Sequence, residues 1–274
     1  MTVIPMIEEC IEQPLLVALD PRGVLRLTMN RPAVHNAFDD HQALRLIEAL
    51  DGAADNNAVR AVVLGAAGET FCAGGDLNYM RRMGDNSYEE NLADAAQLAR
   101  LMKTLNFFPK PTIARVQGGA FGGAVGLVSC CDIAIGTPRA RFALSEARVG
   151  MAPATIAPYV VRTIGEKAAR RFFATAEVIS AEKALSLDLL SEIVAEDALD
   201  EAIERILVAI LNNGPVAVAK AKRIVFDVAG ATVTDAMIEH TVRYIAGIRD
   251  SDEGREGLSA FLQKRAPAWA LPAQ

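Results

Sequence analysis

The residues best suited to chemistry are two glycine-rich turns and one glutamate. The first turn is Phe71-Cys72-Ala73-Gly74-Gly75-Asp76-Leu77, and the second, Gly118-Gly119-Ala120-Phe121-Gly122-Gly123, leads into an apolar stretch. A strand followed by a glycine turn and a helix start leaves backbone N–H groups unpaired, and the helix dipole adds positive potential there. Two such groups that converge can hold the oxygen of a thioester as it gains negative charge. Glycines that only permit positive φ or close packing would explain either turn taken singly. The glutamate is Glu146, in Phe142-Ala143-Leu144-Ser145-Glu146-Ala147-Arg148-Val149-Gly150. Burial among these mostly apolar residues would raise its pKa toward neutrality and let it pass protons. An exposed Glu146, or one paired with Arg148, is the alternative.

The flanking sequence supplies elements to position these groups. Leu15 to Asp20 and Val24 to Met29 read as a hairpin around Pro21-Arg22-Gly23. Asp39 offers an N-cap to a helix reaching Leu50, with Leu44, Ile47 and Leu50 on one face. Val59 to Leu64 and Thr112 to Val116 read as buried strands, with a loop over Gly65 to Gly75 and a helix over Tyr88 to Leu105 that Pro109 and Pro111 stop. After the second glycine turn come a helix from Ala124 to Cys131 and short extended pieces at Ile133 to Ile135 and Phe142 to Ser145. Short strand, small-residue turn and helix recur, which predicts an α/β spiral. From Asp197 onward the pattern is helical, over Ala198 to Leu211, Val216 to Val228, Thr234 to Ile248 and Glu253 to Lys264. The expected division is a core over residues 1–199 and a helical region over 200–274.

Composition narrows the function classes. The chain has 274 residues, about half of them apolar, and a net charge of −6. That acidity gives no bulk reason to bind nucleic acid or an anionic membrane. The basic clusters Arg81-Arg82 and Lys220, Lys222 and Arg223 are short enough to be solvated helix faces. No long apolar span lacks a charge or a breaker, so no membrane helix is expected. Met1 to Glu12 lacks a basic n-region and does not read as a signal peptide. Cys10, Cys72, Cys130 and Cys131 form no Cys-x-x-Cys pair and read as reduced thiols of a cytoplasmic protein. The three histidines, His35, His41 and His240, read as surface or capping residues, with neither a triad nor a metal site expected. The signatures of zincins, serine hydrolases, P-loops and dinucleotide folds are absent.

Taken together, the motifs resemble the enoyl-CoA hydratase/isomerase (crotonase) superfamily. The resemblance is carried by Asn30-Arg31-Pro32 with Asn36-Ala37, by both glycine turns, by Lys110-Pro111-Thr112-Ile113-Ala114 and Cys131-Asp132-Ile133-Ala134, by Phe142 to Gly150, and by Glu253 to Phe261 with Lys264-Arg265. It implies an α/β fold, a crotonase-like ββα spiral core with a C-terminal helical oligomerisation region. It implies an oxyanion hole from the amides of Ala73 and Gly123, and Glu146 as acid/base. CoA, as part of the thioester substrate and not a permanently bound cofactor, would run along Asn36, Ala37, Ala73, Gly74, Gly75, Asp76 and Leu77. Phe261 and Lys264 would reach the CoA of the same or a neighbouring subunit in a homotrimer or hexamer. Gly126, Arg148 and Pro153 are the residues expected at the acyl pocket.

One position departs from the superfamily's pattern. Hydratases of the superfamily carry two glutamates around one water, and the first of these positions is Gly126 here. Room for a bulky acyl group and close helix packing both account for a glycine there. Local wording, Ala120 to Gly123, Gly126 to Val128, Cys130 to Ile135 and Pro153 to Tyr159, is similar to bacterial methylglutaconyl-CoA and isohexenylglutaconyl-CoA hydratase-like proteins, although Ala124 replaces a usual glycine. A hydratase on a branched 3-methyl-enoyl-CoA is therefore the expectation. A single-glutamate enoyl-CoA isomerase is the alternative, and a non-catalytic, RNA-binding protein the more remote one.

Overall fold

The computed structural model describes residues 13–271; Cys10 and the leader-peptide reading of Met1 to Glu12 lie outside them. In chain order the elements are β1 (Leu15–Leu19), β2 (Val24–Met29), α1 (Asp40–Ala54), β3 (Ala61–Ala66), α2 (Leu77–Asp85), α3 (Tyr88–Asn106), β4 (Thr112–Val116), β5 (Gly119–Phe121), α4 (Gly123–Cys130), β6 (Ile133–Gly136) and β7 (Arg141–Ala143). There follow α5 (Ala157–Ile164), α6 (Glu166–Thr175), β8 (Ile179–Ser180), α7 (Ala181–Leu185), β9 (Glu192–Ile193), α8 (Leu199–Leu211), α9 (Pro215–Val228), α10 (Asp235–Asp250) and α11 (Asp252–Gln263).

Two sheets carry the core. The larger has the order β1-β2-β3-β4-β6-β9, and the smaller the order β5-β7-β8. The β1–β2 hairpin is antiparallel, with Leu15 opposite Met29 and Leu19 opposite Leu25. Its turn works because Gly23 accepts a φ of +93° and the Asp20 carboxylate takes the Arg22 and Val24 amides. The remaining pairs of the larger sheet are parallel, each reached by a helical crossover. β3 is buried along its whole length, which fits a strand covered on both faces.

The helices divide between those faces. Phe38, Leu46, Ile47 and Leu50 of the α1 region join Leu101, Met102 and Leu105 of α3 in the larger apolar cluster. On the other face Leu199, Ile203, Leu207 and Leu211 of α8 pack on Val24, Ala61, Val63, Ile113 and Ile135. α8 is therefore a layer of the core. The expected division at residue 200 is displaced to Gly214-Pro215, where Pro215 opens α9. α9 and α10 have no fully buried residue, and α11 has only Ala260. Their apolar Val225, Ile238, Val242, Leu258 and Leu262 are exposed.

Three further expectations change. Leu44 turns outward, because the buried stripe of α1 is Gln42, Ala43, Leu46, Ile47, Leu50 and Ala53. α2 is an added helix, started by the Asp76 carboxylate accepting the Asn78 and Tyr79 amides. The first half of the second glycine turn is a strand, β5, held by parallel pairing with β7. Among the described residues no single helix is long and apolar enough to cross a membrane.

Candidate active site

The two glycine-rich segments lie side by side. The Cys72 amide donates to the Gly119 carbonyl, and the Phe121 amide donates back to the Cys72 carbonyl, both at 3.0 Å. Gly118 must be glycine here, because a Cβ on it would overlap the Glu69 carbonyl oxygen. The chain then turns at Gly122, whose φ of 56° and ψ of −125° suit glycine alone and whose amide donates to Ala143 at 2.9 Å. That turn makes Gly123 the first residue of α4. Its N–H has no partner among the described residues, as expected for a helix start.

The other expected donor is engaged. The Ala73 amide donates to the His35 carbonyl at 3.0 Å. His35 and Asn36 both hold left-handed backbone, with φ of 52° and 54°, and this aims that carbonyl inward. Asn36 is only 2% exposed, and its side chain secures the turn. It donates to the Ala67 and Thr70 carbonyls and accepts the Arg31 amide, each at 2.8 Å. The Asn36 side chain is thus a clamp on this turn. The Ala37 carbonyl is likewise taken, by the Arg31 guanidinium at 3.0 Å.

Arg31 ties this turn to the first glycine loop. It pairs with Asp39 at 2.8 Å, while Asp39 caps α1, and with Asp76 at 2.9 Å, while Asp76 caps α2. Burial alone would push the Asp76 carboxyl up. The Tyr79 and Asn78 amides and the Arg31 guanidinium outweigh it and hold the pKa below the usual range. The Asp76 side chain is therefore spent on capping α2 and pairing with Arg31. Gly74, at φ +95°, and Gly75 close the loop; the Gly74 carbonyl accepts the Phe38 amide at 2.7 Å. Leu77 begins α2 with an exposed side chain.

Glu146 opens a 3-10 turn over Glu146–Val149, just beyond β7. Its Oε1 lies 3.5 Å from the point that a Cβ on Gly122 would occupy, so it stands against the start of α4. Its Oε2 is buried and has no hydrogen-bond partner. Burial pushes its pKa up, with only a backbone hydrogen bond opposing. The Arg148 guanidinium donates instead to the Ala176 carbonyl at 2.7 Å and does not contribute to the Glu146 shift.

Close packing accounts for Gly126. A Cβ there would overlap Ile156 Cγ2 and stand 2.8 Å from Ile156 Cβ and 3.0 Å from Met102 Sδ. Room for a bulky acyl group at Gly126 is thereby corrected, since the space is filled. Pro153 is buried on the segment between Glu146 and Ile156. Phe261 and Lys264 sit at the end of α11, which packs on α9 and α10 and leaves Phe261 81% exposed. Sequence reading missed Ile156, Met102 and the His35 carbonyl. Only Arg31 had a visible signal, in Asn30-Arg31-Pro32.

The arrangement is one free amide at a helix start, a second amide covered by the His35 carbonyl, and a half-buried carboxylate with one unpaired oxygen against the helix start. It can stabilise an enolate oxygen and move a proton on an adjacent carbon. Comparison with known proteins agrees. Residues 20–271 match the family model described as enoyl-CoA hydratase/isomerase. An enoyl-CoA hydratase from Shewanella pealeana superposes with a TM-score of 0.91 at 44% identity, covering 94% of this chain and 97% of that one. Pseudomonas aeruginosa AtuE superposes with a TM-score of 0.90 at 35% identity, covering 94% and 100%. The 2,3-dehydroadipyl-CoA hydratase of Escherichia coli is 30% identical over 255 residues, covering 92% of this chain and 97% of its own. The fold is the crotonase fold, and the chain belongs to the enoyl-CoA hydratase/isomerase family, whose members act on CoA thioesters without a permanently bound cofactor.

Proposed function

We propose that this chain hydrates a branched 2-enoyl-CoA of the 3-methyl-enoyl type, such as methylglutaconyl-CoA, with Glu146 as its acid/base. The observation that carries this reading is Glu146 itself, half-buried against Gly122, with Oε2 unpaired and its pKa raised. The thioester oxygen takes the Gly123 amide, and the Ala73 amide once the His35 carbonyl has moved aside. Glu146 accepts a proton from water as the water oxygen bonds to C3. The electrons pass to the thioester oxygen as an enolate, and the same carboxyl returns the proton to C2. The net change is the addition of one water. The CoA runs past Ala73 to Leu77, and its distal end meets Phe261 and Lys264 of the same or a neighbouring chain. The exposed apolar residues of α9 to α11 are the surface on which the chains join as a trimer or hexamer.

The test is a panel of enoyl-CoA thioesters, with and without a 3-methyl branch and a distal carboxylate, read by product mass with the parent and Glu146→Gln. Loss of a group acting in acid–base catalysis costs roughly 10²–10⁴ in rate. An unreduced rate in Glu146→Gln would remove Glu146 from the mechanism. A second reading, isomerisation of a 3-enoyl-CoA, draws support from Ile156 filling the space at Gly126, which leaves one carboxylate. Double-bond migration in deuterated water without a 3-hydroxyacyl product would establish that reading in place of hydration.

A further inference from the structure

Gly122, the N-cap residue of α4, and Gly126 are four residues apart, about 6 Å along the axis. Each receives another part of the chain where its own side chain would be. Glu146 Oε1 comes in at Gly122, and Ile156 with Met102 comes in at Gly126. Ile156 is the N-cap residue of α5, is β-branched and is 1% exposed, so it has little freedom to rotate away. No side chain fits at position 126 while Ile156 stands there. Glycine weakens a helix interior, and this close approach is what requires it. The chemical consequence follows from the atoms involved. The space at Gly126 is filled by a sec-butyl side chain and a thioether, neither of which exchanges protons with a substrate at neutral pH.

We propose that Ile156 is a specificity-determining residue. By filling the space in front of Gly126 it keeps a second acid–base group out of that position, one turn along α4 from Glu146, so one carboxyl must both take and return the proton. This rests on Glu146 being the acid/base. It restricts the reaction to chemistry that a single carboxyl completes. In hydration, a water proton passes to Glu146 and then to C2. In isomerisation, a C2 proton passes to Glu146 and then to C4 as the double bond moves. Neither needs an oxidant or a second proton carrier.

Four chains test it: the parent, Gly126→Glu, Ile156→Gly and the double variant. Gly126→Glu alone should lower Tm by about 5 °C or more, as overpacked cores do, and lose most turnover. The double variant should recover that Tm relative to Ile156→Gly, and hydrate an unbranched 2-enoyl-CoA at least tenfold faster than the parent. A Gly126→Glu chain as stable as the parent overturns the proposal. So does a folded double variant whose rate on the unbranched substrate stays within twofold of the parent. If the double variant does not fold, Gly126→Ala and Ile156→Ala decide: Ile156→Ala must reverse the stability loss of Gly126→Ala, and simple additivity refutes the exclusion. Glu146→Gln placed in the double variant separates the two readings. Unchanged turnover there means that Glu146, and not Ile156, was misassigned.

Discussion

Replacing Glu146 by glutamine should make the protein more stable at alkaline pH and nearly inactive, two effects of opposite sign from one atom. Burial raises the folded-state pKa of Glu146 above its unfolded value. The folded state therefore binds the proton more tightly than the unfolded state. Its stabilising effect is complete below the unfolded pKa and is lost as pH rises through the folded pKa. At pH 8 the ionised carboxylate sits with Oε2 unpaired and no cation beside it, since Arg148 is bonded to Ala176. A glutamine amide leaves the same polar atom unpaired and removes only the charge, whose desolvation at this half-exposed position costs about 1 kcal/mol. For a chain of this size that is about 2–4 °C in Tm. Glutamine is uncharged, so the gain appears at pH 8 and shrinks toward pH 5. Differential scanning calorimetry at the two pH values measures it. Turnover of an enoyl-CoA, followed by loss of the conjugated thioester absorbance, should fall about 10²–10⁴-fold. A Glu146→Gln protein less stable than the parent at pH 8, or within threefold of its rate, would refute the reasoning.

Other consequences are equally direct. Asp76→Ala removes the α2 cap and one of the two carboxylates paired with Arg31, which keeps Asp39, costing about 1–2 kcal/mol in urea denaturation at neutral pH. Because the Asp76 pKa is lowered, its contribution is present above the unfolded pKa and fades as pH falls through the folded one, so parent and variant should converge in acid. Asn36→Ala breaks the hydrogen bonds to Ala67, Thr70 and Arg31 and should cost about 3 kcal/mol, while raising KM for the CoA thioester more than it lowers kcat. Leu207→Ala, in the core face of α8, should cost about 2–5 kcal/mol, and a chain ending after Asn213 should unfold cooperatively whereas one ending after Ala198 should not.

Much of this protein is written locally. The hairpin, β4, α3 and the four C-terminal helices follow from apolar periodicity and from Asp, Ser, Pro and Gly at element ends, all of which act within a few residues. The glycine turns and the apolar setting of Glu146 were visible for the same reason. α2 was missed although its cap stood in plain view, because Asp76 in a glycine loop looks equally like a ligand. α8 was grouped with the wrong unit, because amphipathicity shows that a face is buried and says nothing of what covers it. β5 exists only because β7 lies beside it. The decisive features of the site are of this last kind. Nothing near Gly126 announces Ile156, and nothing near Ala73 announces the His35 carbonyl, since each contact joins residues that only the folded chain brings together. Sequence alone determined which groups could hold an enolate and move a proton; the tertiary structure decided which amide is free, which is covered, and why there is one carboxylate and not two. Packing is a property of pairs distant in the chain, and local pattern carries no record of it.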